Sequence, residues 1–256
     1  MKYFIDTEFI EGFWDAVFYK KRHFIDLIYI GIVAEDGRKY YAISNEYKFS
    51  NADKWVQENV ILPMYKENVS GDQRNNWNAT NFHFWVGKSN ATIAAEIIDF
   101  INPKIQDLID VFTRHDSWME EYYEQEFAYV KKHNTKIPDH YYKSGSDGYI
   151  KNRALIYNQP EFYGYYADYD WVLFCSLFGR MIDLPKGFPM YCKDLKQMFD
   201  EVSEERNNKN DNSSHPSTLI SLKEYIGYPK QENEHNALAD AKWNYELYKF
   251  LQSLDV

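Results

Sequence analysis

Cysteine is scarce in this chain: Cys175 and Cys192 are the only two, and they make neither a C-x-x-C pair nor a zinc-type cluster. A disulfide-stapled or zinc-bound fold is thereby excluded, and two free thiols in a reducing compartment are expected. Glycine and proline are also few, 11 and 8 among 256 residues, which excludes collagen-like and low-complexity chains. No run of about 18 apolar residues occurs, and an acid arrives as early as Asp6. Neither a membrane span nor a signal peptide is therefore expected, and the reading is a cytoplasmic protein without membrane attachment. Basic residues are outnumbered, 29 Lys and Arg against 39 Asp and Glu, for a net charge of −10. That balance argues against gripping nucleic acid through a broad basic footprint. It leaves room for an anionic substrate bridged by cations held on carboxylates.

What is present is a folding composition, 45% apolar and 27% charged, in a chain long enough to bury a sizeable core. Aromatic residues reach 18%, so any single aromatic patch is read first as core. Residues 2–10 read as a strand. Residues 27–35 and 38–44 read as a hairpin turning at Asp36-Gly37, a strong short-range hairpin signal. Ile93, Ile97, Ile98 and Ile101 recur at helical spacing after a cap at Ser89-Asn90. Residues 103–160 open with helical periodicity, turn polar and Tyr-rich, and are expected to be a partly helical insertion in a single domain spanning 1–256.

Beyond it, 161–167 reads as a strand and 170–180 as a helix whose apolar face carries Val172, Leu173, Leu177 and Phe178. A short strand near 189–192 and a helix from 194 to about 203 follow, then a polar loop over 204–216. Helices over 217–226 and about 236–253 end the chain. Strands that begin as hairpins and later alternate with helices predict one mixed α/β sheet.

Three constellations carry chemistry. Asp6 and Glu8 alternate onto one face of the first strand, about 7 Å apart at roughly 3.3 Å per residue. Their neighbours Phe4, Ile5, Phe9 and Ile10 make that strand largely buried, where two bare carboxylates would protonate unless a cation neutralised them. The second is Tyr166-Ala167-Asp168-Tyr169-Asp170-Trp171, at a strand end where α/β sheets gather ligand sites; either aspartate can equally be a helix cap. The third is His235-Asn236-Ala237-Leu238-Ala239-Asp240-Ala241. Within one helix, positions five apart are separated by about 140° and do not converge. With Asn236 as N-cap, His235 falls on the entering loop and is free to lean over Asp240.

Together, in order, element type and spacing, these motifs resemble the DEDDh 3'-5' exonucleases of the ribonuclease-H-like superfamily. The segments 4–11, 165–172, 189–197 and 235–241 are most similar to the polyadenylate-specific 3'-exoribonucleases of the RNase AS type; the likeness covers about residues 1–102 and 161–253. It implies a ribonuclease-H-like mixed sheet, an antiparallel meander followed by parallel strands, flanked by helices, and possession of a homodimer. It further implies that Asp6, Glu8, Asp170 and Asp240 hold two Mg²⁺ or Mn²⁺ ions, oxygen ligands that suit these cations and not zinc. In that pattern Asp6 bridges both ions, Glu8 and Asp240 complete the site of the attacking water, and Asp170 serves the second ion. Asp170 is preferred to Asp168 because the family aspartate directly follows the aromatic. His235, ordinarily titrating near about 6.5, is the implied general base. The implied substrate is single-stranded, adenylate-rich RNA, hydrolysed from its 3' end to nucleoside 5'-monophosphates.

Phe9 and Trp171, each beside a ligand position, are candidates for stacking on bases, with core packing as the alternative. No motif reports on the 2'-hydroxyl, so a DNA exonuclease of the same mechanism is the second reading. A non-catalytic binding or scaffold protein on this fold is the third, and a binder has no use for a general base.

Overall fold

The structure, a computed structural model, describes residues 1–14, 22–71, 78–101, 159–185, 187–211 and 221–254. Five strands, β1 (Lys2–Trp14), β2 (Arg22–Ala34), β3 (Lys39–Ile43), β4 (Glu161–Gly164) and β5 (Lys193–Asp194), form one sheet in the order β3-β2-β1-β4-β5. β1–β2 and β2–β3 are antiparallel, and β1–β4 and β4–β5 are parallel. This mixed sheet, flanked by helices, is consistent with a ribonuclease-H-like fold.

The long β1–β2 ribbon forms because both segments are rich in Ile, Phe and Tyr. Gly37 closes the following β2–β3 hairpin at φ 87°, a left-handed conformation that glycine adopts without steric penalty. Strand alternation then sorts side chains onto two faces. Tyr3 and Ile5 of β1, with Ile30, Ile32 and Ala34 of β2, pack against the helices Asn90–Ile101 and Asp168–Ser176. Phe4 points the other way, into a core with Trp243, Leu247 and Phe250 of the last helix, Ala237–Ser253. That second face is completed near β3 by Val60, Ile61 and Met64 from helical turns over 54–68.

A bulge interrupts the β1–β2 register: Glu8 faces Tyr29, but Phe9 faces Leu27. Ile28 is the extra residue, and consecutive Ile28 and Tyr29 both join the second-face core.

Several expectations are corrected. The helix beginning at Asp168 ends at Ser176, and Val172 is exposed because the buried face is Trp171, Leu173, Phe174 and Cys175. The late strand pairs at 193–194 rather than 189–192. The next helix, Leu195–Asp211, runs through 204–211, which were expected as loop. A lack of apolar residues there does not break the helix. Within 221–226 the backbone forms only a 3₁₀ turn, Leu222–Glu224; residues 217–220 and 212–216 lie outside the described residues, as does all but 159–160 of the expected insertion. Among the described residues, no helix is long and apolar enough to cross a membrane.

Candidate active site

The site forms where β1 runs past the end of β4. β4 pairs with β1 only through Lys2–Phe4, so the β1 edge beyond is open on that side. Asp6 and Glu8 share the face of Phe4, towards the last helix. That helix delivers Asp240, and carboxylate oxygens of Asp6, Glu8 and Asp240 all lie within 4.8 Å of one another.

The approach depends on Gly31, the β2 partner of Asp6. A Cβ there would lie 2.3 Å from the Ala237 carbonyl oxygen and 2.5 Å from the Leu238 nitrogen. Only glycine lets the start of the last helix rest on the strand backbone. Asn236 caps that helix, its Oδ1 accepting from the Ala239 N–H at 3.1 Å, while its amide nitrogen donates to Glu67 at 3.0 Å. Asn244 on the same helix donates to the Ile5 carbonyl at 2.9 Å, fixing the backbone next to Asp6.

His235 lies on the entering loop, as the capping argument requires. Its backbone is left-handed, φ 66°, its N–H donates to Asp240 Oδ2 at 2.9 Å, and its carbonyl accepts from the Tyr29 hydroxyl. The imidazole meets Trp55 edge-to-face at 4.8 Å. Gln231 donates to the other Asp240 oxygen at 2.8 Å, so both oxygens of that carboxylate are oriented.

Asp170 arrives from the opposite face. Thr7, between the two β1 acids, points to the Asp168–Ser176 helix. Asp170 Oδ1 accepts from its N–H at 2.8 Å and its hydroxyl at 2.6 Å, filling the open strand edge. Asp168 and Asp170 are two residues, about 200°, apart on a helix, so one facing β1 turns the other outward. Asp170 is 6% exposed, and Asp168 is exposed to solvent. Asp194 steadies the turn before this helix: its Oδ2 accepts from the Ala167 N–H at 2.9 Å, beside Tyr166 at φ 55°.

The aromatic candidates separate. Trp171 is 8% exposed and packs on Phe174, centroids 4.9 Å apart and nearly parallel, and on Phe162. It is a core residue in this structure, not an open ring. Phe9 is half-buried, packs against the first-face core and meets Tyr169 edge-to-face at 5.5 Å.

Electrostatics follow from this crowding. Burial, then the charges of Asp170, Glu8 and Asp240, holds the Asp6 carboxyl well above the ordinary carboxylate range. Burial and the charges of Asp240 and Asp170 push Glu8 up to about 8. Burial raises Asp170 to about 6 against the two Thr7 hydrogen bonds that favour its charged form. Burial also raises Asp240, opposed by the bonds from Gln231 and His235. These acids resist ionising together without a cation. Three converging carboxylates, with no thiolate among them, fit Mg²⁺ or Mn²⁺ and could hold either.

No known protein-family profile matches the chain. Two proteins of Mycobacterium tuberculosis, from strains CDC 1551 and H37Rv, are each 25% identical to it over 255 residues, covering 100% of this chain and 95% of the relative. Both are named 3'-5' exoribonuclease. This full-length likeness supports a 3'-5' exonuclease enzyme.

Sequence reasoning did not single out Thr7, Tyr29, Gly31, Trp55, Gln231, Asp194 or Asn244. Thr7 lies inside the Asp6-x-Glu8 motif and was open to discovery there. Asp194 carries a local signal as well, since its Oδ1 accepts from the Lys196 and Gln197 N–H groups at the start of the next helix; Tyr29, Gly31, Trp55 and Asn244 act through partners distant in sequence.

Proposed function

We propose that this protein is a metal-dependent 3'-5' exoribonuclease that shortens single-stranded RNA from its 3' end, releasing nucleoside 5'-monophosphates. The observation that carries the reading is the convergence of Asp6, Glu8 and Asp240, acids that burial makes costly to ionise without a cation, in a chain resembling named 3'-5' exoribonucleases throughout. Asp6, Glu8 and Asp240, with Asp170 on the other flank of Asp6, would hold two Mg²⁺ or Mn²⁺ ions as in the DEDDh pattern. When bound, such ions supply activation of water and neutralisation of charge on the scissile phosphate.

The protein's own groups then have distinct tasks. His235 takes a proton from the attacking water on a ring nitrogen, a contribution typically on the order of 10² to 10⁴ in rate. Gln231 and the His235 N–H hold Asp240 in orientation, and Thr7 does so for Asp170. Water adds to phosphorus, the bond to the preceding 3'-oxygen breaks, and that oxygen takes a proton from solvent water, leaving a shortened chain with a 3'-hydroxyl. Phe9, half-buried and next to Glu8 in sequence, offers the uncovered part of its ring for a terminal base to stack on, such contacts being worth about 1 to 3 kcal/mol. Preference for adenylate follows from the RNase AS likeness.

The test is hydrolysis of 5'-labelled oligo(A), mixed-sequence RNA and matched DNA with Mn²⁺, with and without EDTA, by wild type and Asp6→Ala. A descending ladder on RNA that EDTA and Asp6→Ala both abolish is expected. Undiminished cleavage in EDTA would remove the metal from the mechanism, and faster DNA hydrolysis would reassign the substrate.

A further inference from the structure

Tyr29 is fully buried and sits across from Glu8 in the β1–β2 ribbon, yet its hydroxyl serves neither strand. It donates to the carbonyl of His235, a residue 206 positions away. The bulge at Ile28 turns the Tyr29 ring to the last-helix face, where it packs with Tyr41, Ile43 and Ala237. At the other end of this bond, His235 holds φ 66°, a conformation sparsely used by residues with a Cβ and kept only where surroundings over-determine it. Those surroundings are two hydrogen bonds on the same residue, N–H to Asp240 Oδ2 and carbonyl from Tyr29. Burial and the neighbouring acids hold Tyr29 ionisation far above its ordinary range, so the hydroxyl remains a donor.

We propose that Tyr29 is a positioning residue for His235: its hydroxyl locks the left-handed backbone that carries the imidazole beside Asp240. The inference rests on the proposed role of His235 as general base and names the group that holds it. Tyr29 touches no reacting atom. Its effect falls first on proton transfer and reaches the metal site only through the His235 N–H bond to Asp240.

The experiment compares Tyr29→Phe, which keeps the packed ring, with Tyr47→Phe, a buried tyrosine of the same core whose hydroxyl has no hydrogen-bond partner among the described residues. Tyr29→Phe is expected to lower kcat on oligo(A) on the order of ten-fold, with KM and Tm changing little and the Mn²⁺ midpoint shifting by a smaller factor than kcat. Tyr47→Phe is expected to leave all four unchanged. In a His235→Ala background, Tyr29→Phe is expected to change the residual rate less than about two-fold, since the group it aims is gone. Exchange of the His235 amide, followed in protein labelled with ¹⁵N-histidine, is expected to accelerate in Tyr29→Phe while global unfolding is unaltered. That readout needs no activity, so it separates this inference from the proposed function: a wild type inert on RNA sinks the latter alone. An unchanged kcat and unchanged exchange, or an equal loss with and without His235, would overturn the positioning role.

Discussion

Replacing Glu8 by Gln is expected to stabilise the metal-free protein while destroying its response to metal. Oxygens of Asp6, Glu8 and Asp240 lie within 4.8 Å of one another. At that distance and an effective dielectric constant of about 20, each like-charged pair costs about 3.5 kcal/mol. Carrying Glu8 from 4.5 to about 8 corresponds, at about 1.4 kcal/mol per tenfold change in proton affinity, to on the order of 5 kcal/mol once it is fully ionised. The sign follows from the folded state binding the Glu8 proton more tightly than the unfolded chain. Stability is intact below about 4.5 and is lost as pH rises through about 8. Glu8→Gln removes that loss. In EDTA at pH 8.5 the variant should therefore melt on the order of 10 °C above wild type, at roughly 2 to 4 °C per kcal/mol for a chain of this size. The gap should close by pH 4.5. Mn²⁺ narrows the gap, since a cation at about 100 times its Kd stabilises the wild type by about 2.7 kcal/mol and lacks one ligand in the variant. Differential scanning fluorimetry across pH, with EDTA or Mn²⁺, reads both effects. A variant melting at or below wild type in EDTA at pH 8.5, together with a wild type indifferent to Mn²⁺, would refute the shared-cation reasoning.

Asp170→Asn should lower the RNA hydrolysis rate at least about 100-fold, whereas Asp168→Asn, on the solvent side of the same helix, should stay within about two-fold; the reverse order would exchange their assignments. Gly31→Ala should destabilise the fold by at least about 3 kcal/mol in urea unfolding, because the new methyl meets fixed backbone of Ala237 that cannot rotate away. A loss below about 1 kcal/mol would contradict the close approach of helix and strand.

Much of this protein was legible from local pattern. Period-two alternation puts Asp6 and Glu8 on one face, Asp36-Gly37 marks the hairpin, and Asn236 announces the last helix with His235 just outside it. Each is a short-range matter of backbone geometry. The sheet class followed from the order of strands and helices. Less legible were features whose cause lies across the molecule. The polar run 204–211 read as loop because the expectation rested on apolar periodicity, and the helix continues through polar residues. Val172 and Trp171 exchanged expected places because neighbouring elements choose which face of a helix is covered.

The chain by itself determined which acids and which histidine are available, and on which elements they ride. Tertiary structure buried Asp170 against Thr7 and left Asp168 in solvent, buried Trp171, brought the last helix onto Gly31, and tied Tyr29 to His235. The physical reason is that spacing along a strand or helix sets direction within one element. The distance between carboxylates on separate elements is set by how closely their backbones pack, and one absent Cβ decides that here.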